Sequence, residues 1–339
     1  MKEAMFYQQL EKNKVQCNLC PHNCKLKNDQ IGICRVRQNI NGKLFSLVYG
    51  RAIAVHVDPI EKKPLFHVAP GSRSFSMSTV GCNFKCAFCQ NSNISQIPES
   101  VDPAETGTEI SPAEIVAAAV KSQCQSIAYT YTEPTIYFEY AYDCCKIAHK
   151  ENILNVFVSN GYINPEPLKH VSPYLDAANI DLKSFQEKFY KELVSAKLSP
   201  VLDSLKLMKK RNIWLEITTL LIPSKNDSDE ELRDIARFIK QELGEETPWH
   251  ISRFYPQYKL TTLPPTPVAT LVKAREIGLS EGLRYVYTGN IHGDKGESTY
   301  CYNCGKEILK RHGFDLLGTN IVNSKCEFCD VQIDGLKIG

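Results

Sequence analysis

No stretch of this chain stays apolar for the ~18 residues that a membrane-spanning helix needs, which excludes a helical membrane protein. Charge of one sign is missing as well. Lys and Arg number 40 against 38 Asp and Glu, a formal net of +2. That balance excludes a bulk attraction to nucleic acid or to anionic lipid. Met1 to Gln16 has no apolar core of a signal peptide; it is polar and reads as helical. The expected location is therefore the cytoplasm. No internal repeat and no low-complexity linker is present. With 339 residues, 43% hydrophobic and 23% charged, the chain is an ordinary globular sequence. Its length suffices for a full core plus small appendages.

Cysteine is where the sequence departs from the ordinary. There are 14, and 11 of them fall into three tight clusters. Disulfides would require export, for which no signal exists, so clustered thiols point to metal. The other three, Cys124, Cys144 and Cys145, lie in or beside helical stretches and read as small buried apolar residues.

Three regions separate by pattern. Residues 1–70 form a cysteine-rich module with a β-like stretch near its end. Residues 71–290 alternate strand-like and helix-like segments, and residues 291–339 form a second cysteine-rich module. Strands are predicted at Phe75–Val80, Ser126–Thr130, Leu154–Ser159, Asn179–Leu182, Trp214–Leu220, His250–Phe254 and Arg284–Tyr287. Several are apolar on both faces, as buried parallel strands should be. Ser111-Pro112-Ala113-Glu114 is a capping box that opens a helix running through Val120, and Ser228-Asp229-Glu230-Glu231 opens another. Repeated βα units of this length predict an α/β fold, an open or partial (β/α) barrel, with its active site at the C-terminal strand ends.

The run Cys82-Asn83-Phe84-Lys85-Cys86-Ala87-Phe88-Cys89 follows the first of these strands. Four thiolates complete a [4Fe–4S] cluster; three leave one iron open. An open, reducible iron can chelate the amino and carboxylate groups of S-adenosylmethionine (SAM). Electron transfer into the sulfonium then frees a 5′-deoxyadenosyl radical. A zinc knuckle would carry paired C-x-x-C or Cys/His instead of this triplet.

This motif resembles the radical SAM superfamily, and within it the pyruvate formate-lyase activating enzymes. The narrower resemblance is to the radical enzyme of the AmmeMemoRadiSam system. It rests on Cys17-Asn18-Leu19-Cys20-Pro21-His22-Asn23-Cys24, on Gly32-Ile33-Cys34-Arg35-Val36-Arg37, on Asp58-Pro59-Ile60-Glu61-Lys62-Lys63-Pro64-Leu65, on Tyr287-Thr288-Gly289-Asn290 and on the C-terminal cysteines. The resemblance implies that Cys82, Cys86 and Cys89 hold the cluster and that Phe88 meets the adenine. It implies a SAM amine contact for Glu133, at Tyr131-Thr132-Glu133-Pro134, where activating enzymes read G-G-E. Ser159 and Asn160 match the ribose and carboxylate contacts of D-T-N-G, with Val158 replacing the acid. Asp181 and Lys183 match a D-x-K pair that lines the cavity. Glu216 and His250 lie in predicted strands and can point into the barrel. A Memo-like partner protein and a low-potential electron donor such as ferredoxin or flavodoxin are implied too. A glycyl-radical enzyme activase is the alternative function, and a non-catalytic zinc-binding module a third.

The outer clusters are read from spacing. Cys301-x2-Cys304 and Cys326-x2-Cys329 predict a closed four-thiolate zinc ribbon, with an electron-relay cluster as the alternative. Cys17, Cys20, Cys24 and Cys34 fit either zinc or an auxiliary [4Fe–4S] cluster. The two terminal clusters could also interleave in shared sites.

Overall fold

The computed structural model describes residues 1–291 and 293–339. The runs that are apolar on both faces become the middle of one eight-stranded sheet. In chain order its strands are β1 (Ala54–Pro59), β2 (Arg73–Ser78), β3 (Ser126–Tyr129), β4 (Leu154–Ser159), β5 (Ala177–Asp181), β6 (Trp214–Leu221), β7 (Trp249–Arg253) and β8 (Val286–Gly289). Each strand pairs with the next in sequence. β2 to β8 run parallel, and β1 pairs antiparallel at the edge, Ala54 opposite Ser78.

Every parallel step crosses over through a helix. These are α1 (Pro112–Lys121), α2 (Phe138–Lys150), α3 (Pro165–Val171), α4 (Ser199–Lys210), α5 (Asp229–Phe238) and α6 (Val268–Ser280). Because strand order never reverses, right-handed crossovers stack all six helices on one face. The sheet then curls as a partial barrel, and all its C-terminal strand ends share one rim. The predicted caps hold. Ser111 and Glu114 make a reciprocal capping box, and the Ser228 side chain accepts from the Glu231 N–H. A cap of this kind is worth about 1 kcal/mol. Cys144 and Cys145 are fully buried on α2, and Cys124 is buried just past α1, as small apolar core residues.

Two sequence expectations change. Met1 to Gln16 is not helical. It forms strands at Lys2–Glu3, Tyr7–Leu10 and Lys14–Cys17. Lys12 and Asn13 sit at φ 58° and 55°, which turns the chain back so that Leu10 faces Lys14. Asparagine tolerates that left-handed conformation, so the turn outweighs the polar pattern. The boundary drawn at residue 70 is also crossed, because Ala54–Pro59 belongs to the main sheet.

Both terminal modules are tied down by buried polar contacts. Arg37 makes two 2.9 Å hydrogen bonds to Glu139 on α2 and a third to the Met5 carbonyl. At the other end, Arg311 donates to the Phe66 carbonyl and to Thr299 at 2.7 Å. Leu336 pairs with the segment after β1: its N–H donates to the His67 carbonyl, and its carbonyl accepts from Ala69.

His67 links these parts. Nδ1 meets the Asp334 carbonyl, which can only accept, so Nδ1 carries the proton. Nε2 then accepts from the Tyr287 hydroxyl at 2.6 Å. Tyr287 in turn contacts Thr299, whose oxygen accepts a hydrogen bond from Arg311. The chain of donors runs one way only if His67 is neutral. Burial holds its pKa down at about 4. An unfolded histidine takes up a proton near pH 6.5, whereas this one does not, so acid favours unfolding. The stabilisation is complete above that pH and drains away as pH falls toward 4. Between pH 7 and 5 the loss from this residue should be about 2 kcal/mol. Urea unfolding of the wild type and of His67→Gln at both pH values checks it; equal losses would defeat it.

Candidate active site at the C-terminal rim

β2 ends at Ser78, and the chain turns into the cysteine loop through Gly81 at φ 93°. A Cβ here would lie 2.6 Å from the Cys34 carbonyl oxygen and 2.7 Å from Val36, so only glycine fits. The loop is then pinned by its backbone. Lys85 and Ala87 donate to Val194 and Leu193, and the Ala87 carbonyl accepts from Lys259. Cys82 and Cys86 are buried, and Cys89 is half-buried beside the Ser95 hydroxyl at 3.1 Å. The Phe84 N–H points at Cys82 Sγ, 3.4 Å away.

All three sulfurs line one cavity of about 450 Å³, within the range typical of ligand sites. Burial pushes Cys86 up to about 12 and Cys82 well above the ordinary thiol range. Metal must therefore displace protons on binding. Among the described residues, no three ligand atoms of this site lie within 4.8 Å of one another, unlike the C-terminal cysteines. A loop this open suits a multi-iron cluster better than a single ion.

The neighbouring strand ends supply the rest of the wall. Phe88, Ser159, Asn160, Asp181 and Lys183 all line the cavity, and Val158 does too. Asn160 donates to Asn83 at 2.8 Å and so braces the cysteine loop from β4. Lys183 Nζ lies 2.9 Å from Asp181 and 5.9 Å from the centre of the Phe88 ring. Burial lowers the Lys183 pKa, but Asp181 and Cys86 more than offset it, and the net shift is upward. Arg253 bonds the Thr266 carbonyl and the Tyr255 hydroxyl instead. Asp181 therefore faces its own Lys183.

A superfamily pattern described as "Radical SAM superfamily" matches residues 76–239, from β2 into the π-turn after α5. An uncharacterized protein of Methanocaldococcus jannaschii is 46% identical over 98% of this chain and 99% of its own length. The chain belongs to the radical SAM superfamily. The same organism has a proposed glycyl-radical enzyme activating enzyme that is 26% identical over 61% of this chain and 78% of its own. A radical SAM methyltransferase from Sphaerobacter thermophilus shares the fold. Its TM-score is 0.51 at 16% identity, over 67% of this chain and 70% of the other. Radical SAM membership implies a [4Fe–4S] cluster and SAM, and the open triad of buried thiols fits that cluster.

Glu133 is where the radical SAM resemblance and the geometry part. The residue is fully buried and does not line the cavity. Its carboxylate caps the turn Pro134–Tyr137, accepting from the Thr135 N–H at 3.0 Å and hydroxyl at 2.6 Å. It also accepts from the Ser159 hydroxyl and the Asn160 N–H, both at 2.8 Å. Three of these donors fall on Oε1 and one on Oε2, so the protein itself engages the carboxylate outside the cavity lining. Thr130, Tyr131 and Thr132 face the cavity in its place.

The same wall contains residues that the sequence left without a role. Lys63 is buried in the cavity wall, 2.7 Å from Asp58 and 4.4 Å above the Tyr131 ring. Burial pulls its pKa down to about 8 despite Asp58. Asp58 and Lys63 come from the Asp58–Leu65 string; Asp58 lies at the end of the edge strand, read from sequence as β-like over Ala52–Val57, and Lys63 follows it. His250 reaches the cavity, and Glu216 lies behind it, 2.6 Å from Nε2. Glu216 also accepts from the Phe66 and His67 N–H groups.

Glu133→Gln turns one acceptor oxygen into a donor that faces other donors. The unfolding free energy should fall by about 1–3 kcal/mol, the cost of a buried unsatisfied group. SAM affinity of the folded protein should stay within about twofold, under about 0.5 kcal/mol. A tenfold weaker affinity at an unmoved melting temperature would restore the cofactor role.

Proposed function

We propose that this protein splits SAM reductively and uses the 5′-deoxyadenosyl radical to take a hydrogen atom from a small polar substrate. The observation that carries the reading is a single cavity walled by the three thiols of the central loop and, from the segment after β1 and from β7 and β8, by polar groups. Cys82, Cys86 and Cys89 would hold the cluster. When bound, it supplies the electron that breaks the sulfonium C–S bond. Phe88 offers an aromatic face to the adenine. Ser159 and Asn160 stand at the positions matched to the ribose and carboxylate contacts. Lys63, a cation held by Asp58, favours a substrate with an anionic group. His250, fixed by Glu216, is placed to give or take a proton. The reading includes a ferredoxin- or flavodoxin-like electron donor and a Memo-like partner, on the resemblance to the AmmeMemoRadiSam enzymes.

A second reading, activation of a glycyl-radical enzyme, is favoured by the similarity to the proposed activating enzyme. Against it stand Val158 and the replaced glycines before Glu133, which activating enzymes carry differently. Purified anaerobically and reduced with dithionite, the protein should release 5′-deoxyadenosine and methionine from SAM. Cys86→Ala should abolish this, since the cluster loses one of its three anchors. Undiminished 5′-deoxyadenosine from that variant would sink the assignment. A glycyl-radical signal raised on a partner polypeptide would decide for the activase.

The C-terminal site is proposed to hold structural zinc. Cys301 and Cys329 Sγ lie 3.6 Å apart, and Cys304 and Cys326 3.8 Å. Tetrahedral zinc with ~2.3 Å bonds sets its sulfurs ~3.8 Å apart. Cys304→Ser should release about one zinc per chain and lower the melting temperature before it touches the iron, as expected of a closed site. Full zinc and an unchanged melting temperature in that variant would show the site misassigned.

A further inference from the structure

Cys17, Cys20, Cys24 and Cys34 all face a second void, well separated from the SAM cavity in its lining. They do not interleave with the C-terminal cysteines, which meet one another. The remaining walls are mostly apolar, with Leu19, Leu26 and Ile136 among them. The void measures about 20 Å³, enough to admit a water molecule.

Four sulfurs around one zinc ion stand ~3.8 Å apart. The C-terminal four satisfy this: their ligand atoms all lie within 4.8 Å of one another. Among the described residues no three of the N-terminal four do so, and neither does the Cys82 triad. The N-terminal site thus shares its openness with the loop that suits a multi-iron cluster. It does not share the closeness of the zinc-like site.

Arg37 adds an independent observation. Its guanidinium is 2% exposed and lies against the void. Two of its nitrogens are satisfied by Glu139 and the Met5 carbonyl, but Nε has no hydrogen-bond partner. A buried, unpaired N–H costs free energy unless a ligand accepts from it. Sulfide and thiolate sulfurs of a cluster are such acceptors, and N–H···S contacts tune cluster potential.

We propose that Cys17, Cys20, Cys24 and Cys34 hold a second, fully cysteine-ligated [4Fe–4S] cluster. Its surroundings touch the cysteine loop of the SAM site. The Cys34 carbonyl packs on Gly81, and the His22 ring bonds the Asn83 carbonyl at 2.8 Å. With four thiolates and no open iron, this cluster does not bind SAM.

The test counts iron and reads spectra. Anaerobically reconstituted wild type should carry about eight irons and about eight sulfides per chain, two four-iron clusters. The Cys82→Ala/Cys86→Ala/Cys89→Ala variant should keep about four of each, with a reduced-cluster electron paramagnetic resonance signal that SAM leaves unchanged. Cys20→Ser/Cys24→Ser should lose the complementary half and keep the signal that SAM shifts. About four irons in the wild type, with two zinc ions per chain, would overturn the proposal even if both variants failed to fold. So would an iron-free triple variant that is folded and holds zinc at both ends.

Discussion

The Glu133 carboxylate has to find four hydrogen-bond donors in a place that water does not reach, and the rim is arranged to provide them. Two come from Thr135, one turn ahead on its own strand end; two come from Ser159 and Asn160 across the sheet. Burial alone pushes this acid upward, and each donor pulls it back. Meeting that demand locks the end of β3 to the end of β4. Asn160, once held, reaches Asn83 and so fixes the cysteine loop. The geometry of the cysteine loop therefore depends on an acid that lies outside the cavity lining.

Much of the barrel was legible because several of its strands are apolar on both faces and two of its helices open on Ser-x-x-Glu. All seven predicted strands form, with ends displaced by a residue or two. The triad, Phe88, Ser159, Asn160, Asp181 and Lys183 are brought into one cavity. What could not be read follows from physics that sequence does not display. Whether a carboxylate faces a cavity or lies beneath it depends on which donors the tertiary fold brings close, so the burial of Glu133 outside the cavity lining could not be read. The edge strand Ala54–Pro59 has an exposed, irregular burial pattern, and no periodicity announced that it joins the sheet. The N-terminal hairpin turns on two left-handed residues, Lys12 and Asn13, which weigh little against a polar run.

The cavity wall is a composite. The central strands supply the thiols and the D-x-K pair, the segment after β1 supplies Lys63 and Phe66, and the C-terminal hairpin supplies Phe314. Paired buried charges join these parts: Arg37 with Glu139 at one end, Arg311 with Glu61 at the other. Such pairs add little stability over an apolar contact, but leaving one member unpaired is costly. They act as keys that admit one docking of each module. The zinc-like knuckle then bears on the active site from a distance, because it shapes the sheet that presents Arg311 and Phe314.

The strand pairing of Leu336 with the segment around Val68 has a temporal meaning. The segment that carries Lys63 and Phe66 emerges from the ribosome early, while its partner emerges some 270 residues later, at synthesis rates of about 5–20 residues per second. For that interval the barrel can curl and its helices can dock, but the segment that carries Lys63 and Phe66 lacks its pairing partner. That flank of the cavity wall is thus fixed only after all three cysteines of the central loop have been made.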